Sequence, residues 1–252
     1  MPSASARPFG TLLPFLASIL VSLQACAPPC IDPEPMVRGQ LTQLSLDERQ
    51  EVSERIRAVI AERGITNPLL FAGIASAETH MAHCWRDATW ACQGPPSEDC
   101  DGGPVIAGAG DGPCEERRGG LGMFQFDAGT YDDTLAREGI RILSLDGSIE
   151  AAVDFVLDMV QRSVYVAAVF NEEDAIAWIN QLRPYDSDYD SWIQTVVRYY
   201  NGCNPERCGA WEDKIQNYDA HLIARYEELG DAFWYPDGES RPAGPSIELC
   251  AR

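Results

Sequence analysis

Glu78 and Gln125 carry the most chemical content in this chain. Glu78 ends an apolar run, Leu69, Leu70, Phe71, Ile74 and Ala75, whose spacing is helical, and it lies four residues past Ile74 on the same face. A carboxylate on a largely buried helical face is costly to charge unless it is hydrogen-bonded. A carboxyl in an apolar setting holds its proton to higher pH, because desolvation disfavours the charged form, and that suits a general acid. Gln125 closes the glycine-rich turn Gly119-Gly120-Leu121-Gly122-Met123-Phe124-Gln125. Its amide is both donor and acceptor. Gly122 would let the backbone approach a ligand closely, and Met123 and Phe124 would wall a cleft. Further on, Tyr199-Tyr200-Asn201-Gly202 supplies a phenol able to hydrogen-bond Glu78 or to offer a ring face, and an amide able to hold the adjoining turn.

Each of these residues also has a plainer reading. Glu78 could be an exposed helix-end glutamate, Gln125 and Asn201 could cap local turns, and Tyr200 could pack in the core with its hydroxyl satisfied. His80, His83 and Cys84 form a rival cluster of zinc-binding types. Their spacing matches no paired Cys-x-x-Cys pattern, and no metal or cofactor is expected.

The elements that must position these groups are helical. Ser45-Leu46-Asp47-Glu48 is a capping box, followed by Val52, Ile56, Val59 and Ile60, with Gly64 as the stop. Asn67-Pro68 opens the Glu78 helix. Asp127 is expected to cap a helix running to Glu138, and Ser148 another through Ile149, Val153, Val156 and Val160. Asn171 is expected to cap a third. Trp192 to Tyr200 marks a fourth, and Ala210 to Leu229 a fifth. Val164 to Phe170 reads as an extension of the helix before it. With no regular alternation of strands and no repeat, the fold class is mainly α. From Ala82 to Arg118 the helical pattern dissolves into a loop rich in cysteine and glycine, long enough to be functional, stapled or both.

The N-terminus is not part of that fold. Phe9 to Leu23 has the size of a signal h-region, too short to span a bilayer reliably. It ends Leu23-Gln24-Ala25-Cys26, which resembles a lipobox with Cys26 as the lipidated thiol. The expected organisation is a signal peptide over 1–25, a Pro-rich tether over 26–44, a helical domain over 45–230 with an insertion at 82–118, and a tail over 231–252. There are nine cysteines. If Cys26 carries lipid, eight remain for disulfides in an oxidising compartment. Cys203 and Cys208 could close a short turn, and Cys30 and Cys250 could staple the chain ends. The apolar fraction of 45% is that of an ordinary globular protein. A net charge of -20 leaves no basic face for a nucleic acid, so that partner class is excluded.

Taken together and in order, these motifs resemble a known family. Ala77-Glu78-Thr79 resembles the Glu-Ser pair ending the catalytic helix of soluble lytic transglycosylases and goose-type lysozymes. Gly119 to Gln125 resembles the family's Gly-Ala-x-Gly-Leu-Met-Gln signature, with Thr130 at its threonine. Asp146 to Ile149 resembles the Asn-Ile segment, and Tyr199 to Gly202 the Ala-Tyr-Asn-x-Gly motif. The matches cover roughly Leu69 to Gly202. Thr79 stands where serine is usual, Tyr199 where alanine is, and the stretch from Glu78 to Gln125 is longer than the family's.

The resemblance implies a lysozyme-like helical domain that cleaves the β-1,4 bond between N-acetylmuramic acid and N-acetylglucosamine in peptidoglycan. Glu78 would act as acid and then as base, and the sugar's C6 hydroxyl would attack to leave a 1,6-anhydro end. Thr79, Gly122, Met123, Gln125, Tyr200 and Asn201 would contact substrate. A hydrolytic muramidase would need a second carboxylate, for which Asp87, Asp101, Asp111, Glu115 and Glu116 in the insertion are candidates. Trp85 or Trp90 could stack on sugar. A non-catalytic glycan-binding lipoprotein and a small-molecule-binding lipoprotein are the alternatives from other classes. The expected partners are glycan strands and, through Cys26, a membrane. The expected form is a monomer at the bacterial cell envelope, on the outer membrane facing the periplasm.

Overall fold

Ser45 opens the first helix as its capping box predicts. In the computed structural model, which describes residues 44–110 and 112–236, its backbone N–H donates to Glu48 Oε2 at 2.7 Å and its Oγ accepts from the Glu48 N–H at 3.3 Å. Helix α1 spans Leu46–Ala61 and buries Ile56, Val59 and Ile60. Helix α2, Pro68–Thr79, is buried on nearly every side from Pro68 through Ser76. A short helix that is apolar all round belongs at the centre of a helical core. The remaining helices are α3 Tyr131–Glu138, α4 Leu145–Arg162, α5 Glu172–Gln181, α6 Tyr189–Thr195, α7 Trp211–Leu229 and α8 Asp231–Trp234, and α2 packs chiefly against α7 and α1. Past Thr195 the chain continues as one π turn, Val196–Tyr200.

Two contacts fix the direction of α2. Asn67 does not cap it with its side chain; instead Nδ2 donates to the carbonyls of Ile179 and Leu182 at 2.9 and 2.8 Å, which ties the helix start to the end of α5. Halfway along, Gly73 lies against Leu222 of α7, where an added Cβ would stand 2.9 Å from the leucine Cβ. The two helices run antiparallel at that crossing, and the glycine is what lets them approach so closely.

The insertion is not an unstructured loop. Strands β1, Cys92–Pro96, and β2, Pro104–Ala107, pair antiparallel with Cys92 opposite Ala107. Disulfides Cys84–Cys100 and Cys92–Cys114 close it, and Cys203–Cys208 closes the short turn for which that pairing is expected. The glycine turn docks on this hairpin: the Gly122 N–H donates to Ile106 O at 2.9 Å and the Gly108 N–H to Gly120 O at 2.8 Å.

Other boundaries differ from expectation. Thr130, not Asp127, caps α3, in a reciprocal box with Asp133. Ser144, not Ser148, caps α4, and Ser148 is buried inside that helix. Asn171 caps α5 as expected. Val164 to Phe170 does not extend α4, which ends at Arg162. The domain also runs past Gly230, since Trp234 is fully buried and its Nε1 donates to Arg225 O at 2.9 Å. Among the described residues no helix is long and apolar enough to cross a membrane. The signal segment 1–25, Cys26, residues 26–43 of the tether, the Cys30–Cys250 staple and residues 237–252 of the tail lie outside the described residues.

Candidate active site

Glu78 sits in the last turn of α2, half-buried, and the helix stops two residues later. His80 and Met81 both take left-handed backbone, with φ of 54° and 69°. Thr79 holds this end in place. Its side chain is fully buried, and Oγ1 hydrogen-bonds Ala75 O at 3.2 Å and Met123 O at 2.9 Å. Thr79 thus locks the helix end to the glycine turn and does not face the cleft. Its hydroxyl is the part this contact needs.

The carboxylate has a dedicated donor. Tyr218 of α7 donates its hydroxyl to Glu78 Oε1. Burial, the Glu78 negative charge and that hydrogen bond together hold the Tyr218 phenol well above its ordinary pKa, against a smaller opposing pull from the Asn201 side chain. Tyr218 is therefore a neutral donor across the whole working pH range. The Tyr200 phenol is likewise pushed up, by burial first and then by Glu78. Its hydroxyl donates to Phe124 O, and its ring meets Phe155 edge-on at 5.1 Å. The π turn creates this arrangement by placing Tyr200 and Asn201 side by side at the cleft. A second tie between the helices lies one turn further in, where Ser76 Oγ and His221 Nδ1 are 2.9 Å apart.

These groups open on a cleft of about 690 Å³. Its walls are the end of α2 at Ala77 and Glu78, the tip of the insertion at Ala109 and Gly110, the glycine turn at Gly120 and Gln125, the π turn at Tyr200 and Asn201, and the first two turns of α7 at Asp213, Lys214, Asn217 and Tyr218. Gln125 lines the cleft with left-handed backbone, φ 49°. Both ends of its amide are engaged: Nε2 donates to Gly122 O at 2.8 Å, and Oε1 accepts from the Ala109 N–H at 2.9 Å. It ties the glycine turn to the insertion and keeps a second donor hydrogen and a second lone pair for a ligand.

Several expected contacts fall elsewhere. Met123 and Phe124 are fully buried and belong to the core; they reach the site only through carbonyls that receive Thr79 and Tyr200. Gly122 faces the protein body, not the cleft, and a Cβ there would stand 3.1 Å from Ile142 O. The glycine the site requires is Gly120, where a Cβ would be 2.4 Å from Gln125 O. Of the acidic candidates in the insertion, Asp87, Asp101, Glu115 and Glu116 do not line the cleft, and Asp111 lies outside the described residues. The carboxylates that join Glu78 there are Asp127 and Asp213. Trp85 and Trp90 do not line it either; Trp85 Nε1 donates to Ala91 O at 2.9 Å, and Trp90 packs edge-on to His80 at 6.3 Å.

The zinc reading fails on chemistry. Cys84 sulfur is bonded to Cys100, and the buried His83 directs Nε2 to Leu143 O at 3.0 Å. His80 and His221 face one another at 5.0 Å. Burial, then the positive charges of Arg225 and Arg49, pull His80 down to about 4. Burial, then His80 and Arg225, pull His221 down to about 3. Both are neutral and structural, His221 buried and His80 half-buried.

Tyr218, Asn217 and Lys214 were not foreseen as site residues. Tyr218 falls on the apolar period of α7 with Trp211, Ile215 and Leu222, so it reads as core; only the crossing of α7 over the end of α2 turns its hydroxyl toward Glu78. No family model, curated protein or solved structure matches the chain.

Proposed function

We propose that this cleft cuts the glycan strand of peptidoglycan between N-acetylmuramic acid and N-acetylglucosamine, in a lysozyme-like domain acting as a lytic transglycosylase. The observation that carries the reading is Glu78, half-buried at the end of a buried helix, hydrogen-bonded by a neutral tyrosine, and open to a polar cleft. In this scheme the Glu78 carboxyl protonates the glycosidic oxygen as the C1–O bond breaks. The resulting carboxylate takes the proton of the muramoyl C6 hydroxyl as that oxygen bonds C1. The product is a 1,6-anhydro end, and Glu78 recovers its proton. Tyr218 steadies the carboxylate during the interval in which it is charged, when a hydrogen bond to an ion is strongest.

The sequence motifs and the cleft support one another. Glu78, Gln125, Tyr200 and Asn201, drawn from three separate segments, line one cavity. Asp127 and Asp213 in the same lining give specific support to a second reading, a hydrolytic muramidase in which one of them directs a water. The Asp127 Oδ1 is already engaged by the Gly129 N–H at 2.6 Å, which leaves Asp213 the freer of the two. Anchoring through lipid on Cys26 at the outer membrane, facing the periplasm, completes the proposal. Mass spectrometry of products from purified sacculi tests it: anhydro-muramoyl ends are expected, and reducing ends would transfer the assignment to the hydrolase.

A further inference from the structure

We propose that Lys214 pairs with a carboxylate on the substrate, so that the cleft selects acidic glycan strands over neutral ones and fixes their position along it. The inference rests on the glycan reading of the cleft and adds the feature of the glycan that is recognised.

Basic residues are used in an uneven way in this chain. It has eighteen arginines and one lysine, and that lysine is Lys214. It lines the cleft with Glu78, and Asn217 and Tyr218 follow it at three and four residues on the same face of α7. Among the described residues, every arginine except Arg207 is engaged by a carboxylate, a backbone carbonyl or an aromatic ring, as with Arg49 on Glu228, Arg57 on Phe233 and Arg198 on Tyr165 and Tyr199. Lys214 has no such partner among them. It is thus a cation in the cleft that no side chain of the described residues neutralises, in a protein of net charge -20.

Its position does nothing for the helix. Lys214 is in the opening turns of α7, where the peptide dipoles present their positive end and a cation is disfavoured. Glu212 and Asp213 are the residues that suit that location. The rest of the lining points to what the lysine meets. The other ionisable groups at the cleft surface are the carboxyls of Glu78, Asp127 and Asp213 and the phenols of Tyr200 and Tyr218. An anionic substituent is repelled by the Asp127 and Asp213 carboxylates and attracted at one place, so its binding sets a single register. A lysine ammonium, a compact charge on a flexible stem, suits a substituent that swings on a sugar ring. In the proposed substrate such a carboxylate is either the lactyl group of an N-acetylmuramic residue without peptide, or a free carboxylate on an attached peptide.

Binding measurements on the full-length Glu78→Gln protein separate these outcomes without requiring turnover. The probes are GlcNAc–MurNAc oligosaccharides with free lactyl groups, strands of equal length still carrying peptides, and chitooligosaccharides as the neutral control. An exposed ion pair supports a preference of about fivefold for the carboxylated oligomer over the neutral one. The added Lys214→Met change should abolish that preference, Lys214→Arg should retain it, and added salt should erode it. A preference confined to peptide-free strands assigns the lactyl group; a preference confined to peptide-bearing strands assigns the peptide. Equal binding of charged and neutral oligomers, or a preference that survives Lys214→Met, overturns this inference and leaves the glycan assignment standing. Binding of none of the probes overturns both.

Discussion

Tyr218 reaches Glu78 from the opposite helix, and its phenol is held neutral by burial and by the charge it serves. Tyr218→Phe removes the hydroxyl and keeps the ring, so the fold should survive while activity on sacculi falls about tenfold, the worth of one hydrogen bond to a charged group. Because the donor favours the charged carboxylate, its removal should also move the pH–rate profile toward higher pH. A purely structural tyrosine would lower the melting temperature and leave the profile in place. Thr79 behaves differently although it adjoins Glu78. Its hydroxyl spans Ala75 O and Met123 O from a fully buried position. Thr79→Val keeps the shape and strands a carbonyl, so about 1–3 kcal/mol of stability should be lost in denaturant titration. Thr79→Ser should lose much less.

The site depends on two element pairings. The first is α2 against α7, which meet at Gly73 and Leu222 and again at Ser76 and His221. Gly73→Val would push a branched side chain into Leu222, and overpacking of this kind costs about 1–3 kcal/mol; loss of activity in step with loss of stability would follow, since Tyr218 is carried on the displaced helix. The second pairing is the hairpin against the glycine turn, linked by Gln125 and by the Gly108 and Gly122 N–H groups. Cys92–Cys114 closes a segment with a sequence separation of 22, and a loop near that length is worth about 3 kcal/mol in the chain-entropy view. Replacing both cysteines by serine should lower the melting temperature and reduce activity, because Ala109 and Gly110 form one wall of the cleft. An unchanged activity would separate the insertion from the site.

Most of the helices were legible from pattern alone, because period and caps are local: Ser45, Asn171 and the Trp211–Leu229 span stand as expected. The cap positions at Asp127 and Ser148 were not, since Thr130 and Ser144 offer equally good cap chemistry nearby and tertiary packing selects between them. The hairpin was hidden because Gly, Pro and Cys mask strand alternation and its stability comes from disulfides and from the docked turn. The site was half legible. Glu78, Gln125, Tyr200 and Asn201 converge as the motifs imply, but Met123, Phe124 and Gly122 point into the body, and nothing in a single strand of sequence tells a cleft-facing turn residue from a core-facing one.

At the scale of the molecule, stability should depend on pH through the facing pair His80 and His221. His80 and His221 sit at about 4 and about 3 in the fold, below the ordinary value near 6.5, so the unfolded chain binds more protons between those limits. Stability is then fully present above about pH 6.5 and is lost progressively as pH falls toward 4. Melting temperatures measured from pH 7 to pH 4 should fall, and a His80→Asn, His221→Asn double variant should flatten that slope even if it is less stable at pH 7.

The account as a whole turns on one carboxyl. Full-length Glu78→Gln keeps the size and most hydrogen bonds of the side chain and removes its titrating proton. Turbidity clearance of purified sacculi should drop about a thousandfold against the unaltered protein, within the range that loss of a general acid produces, with the melting temperature little changed. Clearance that continues at the original rate would contradict the assignment of this cleft as the catalytic centre.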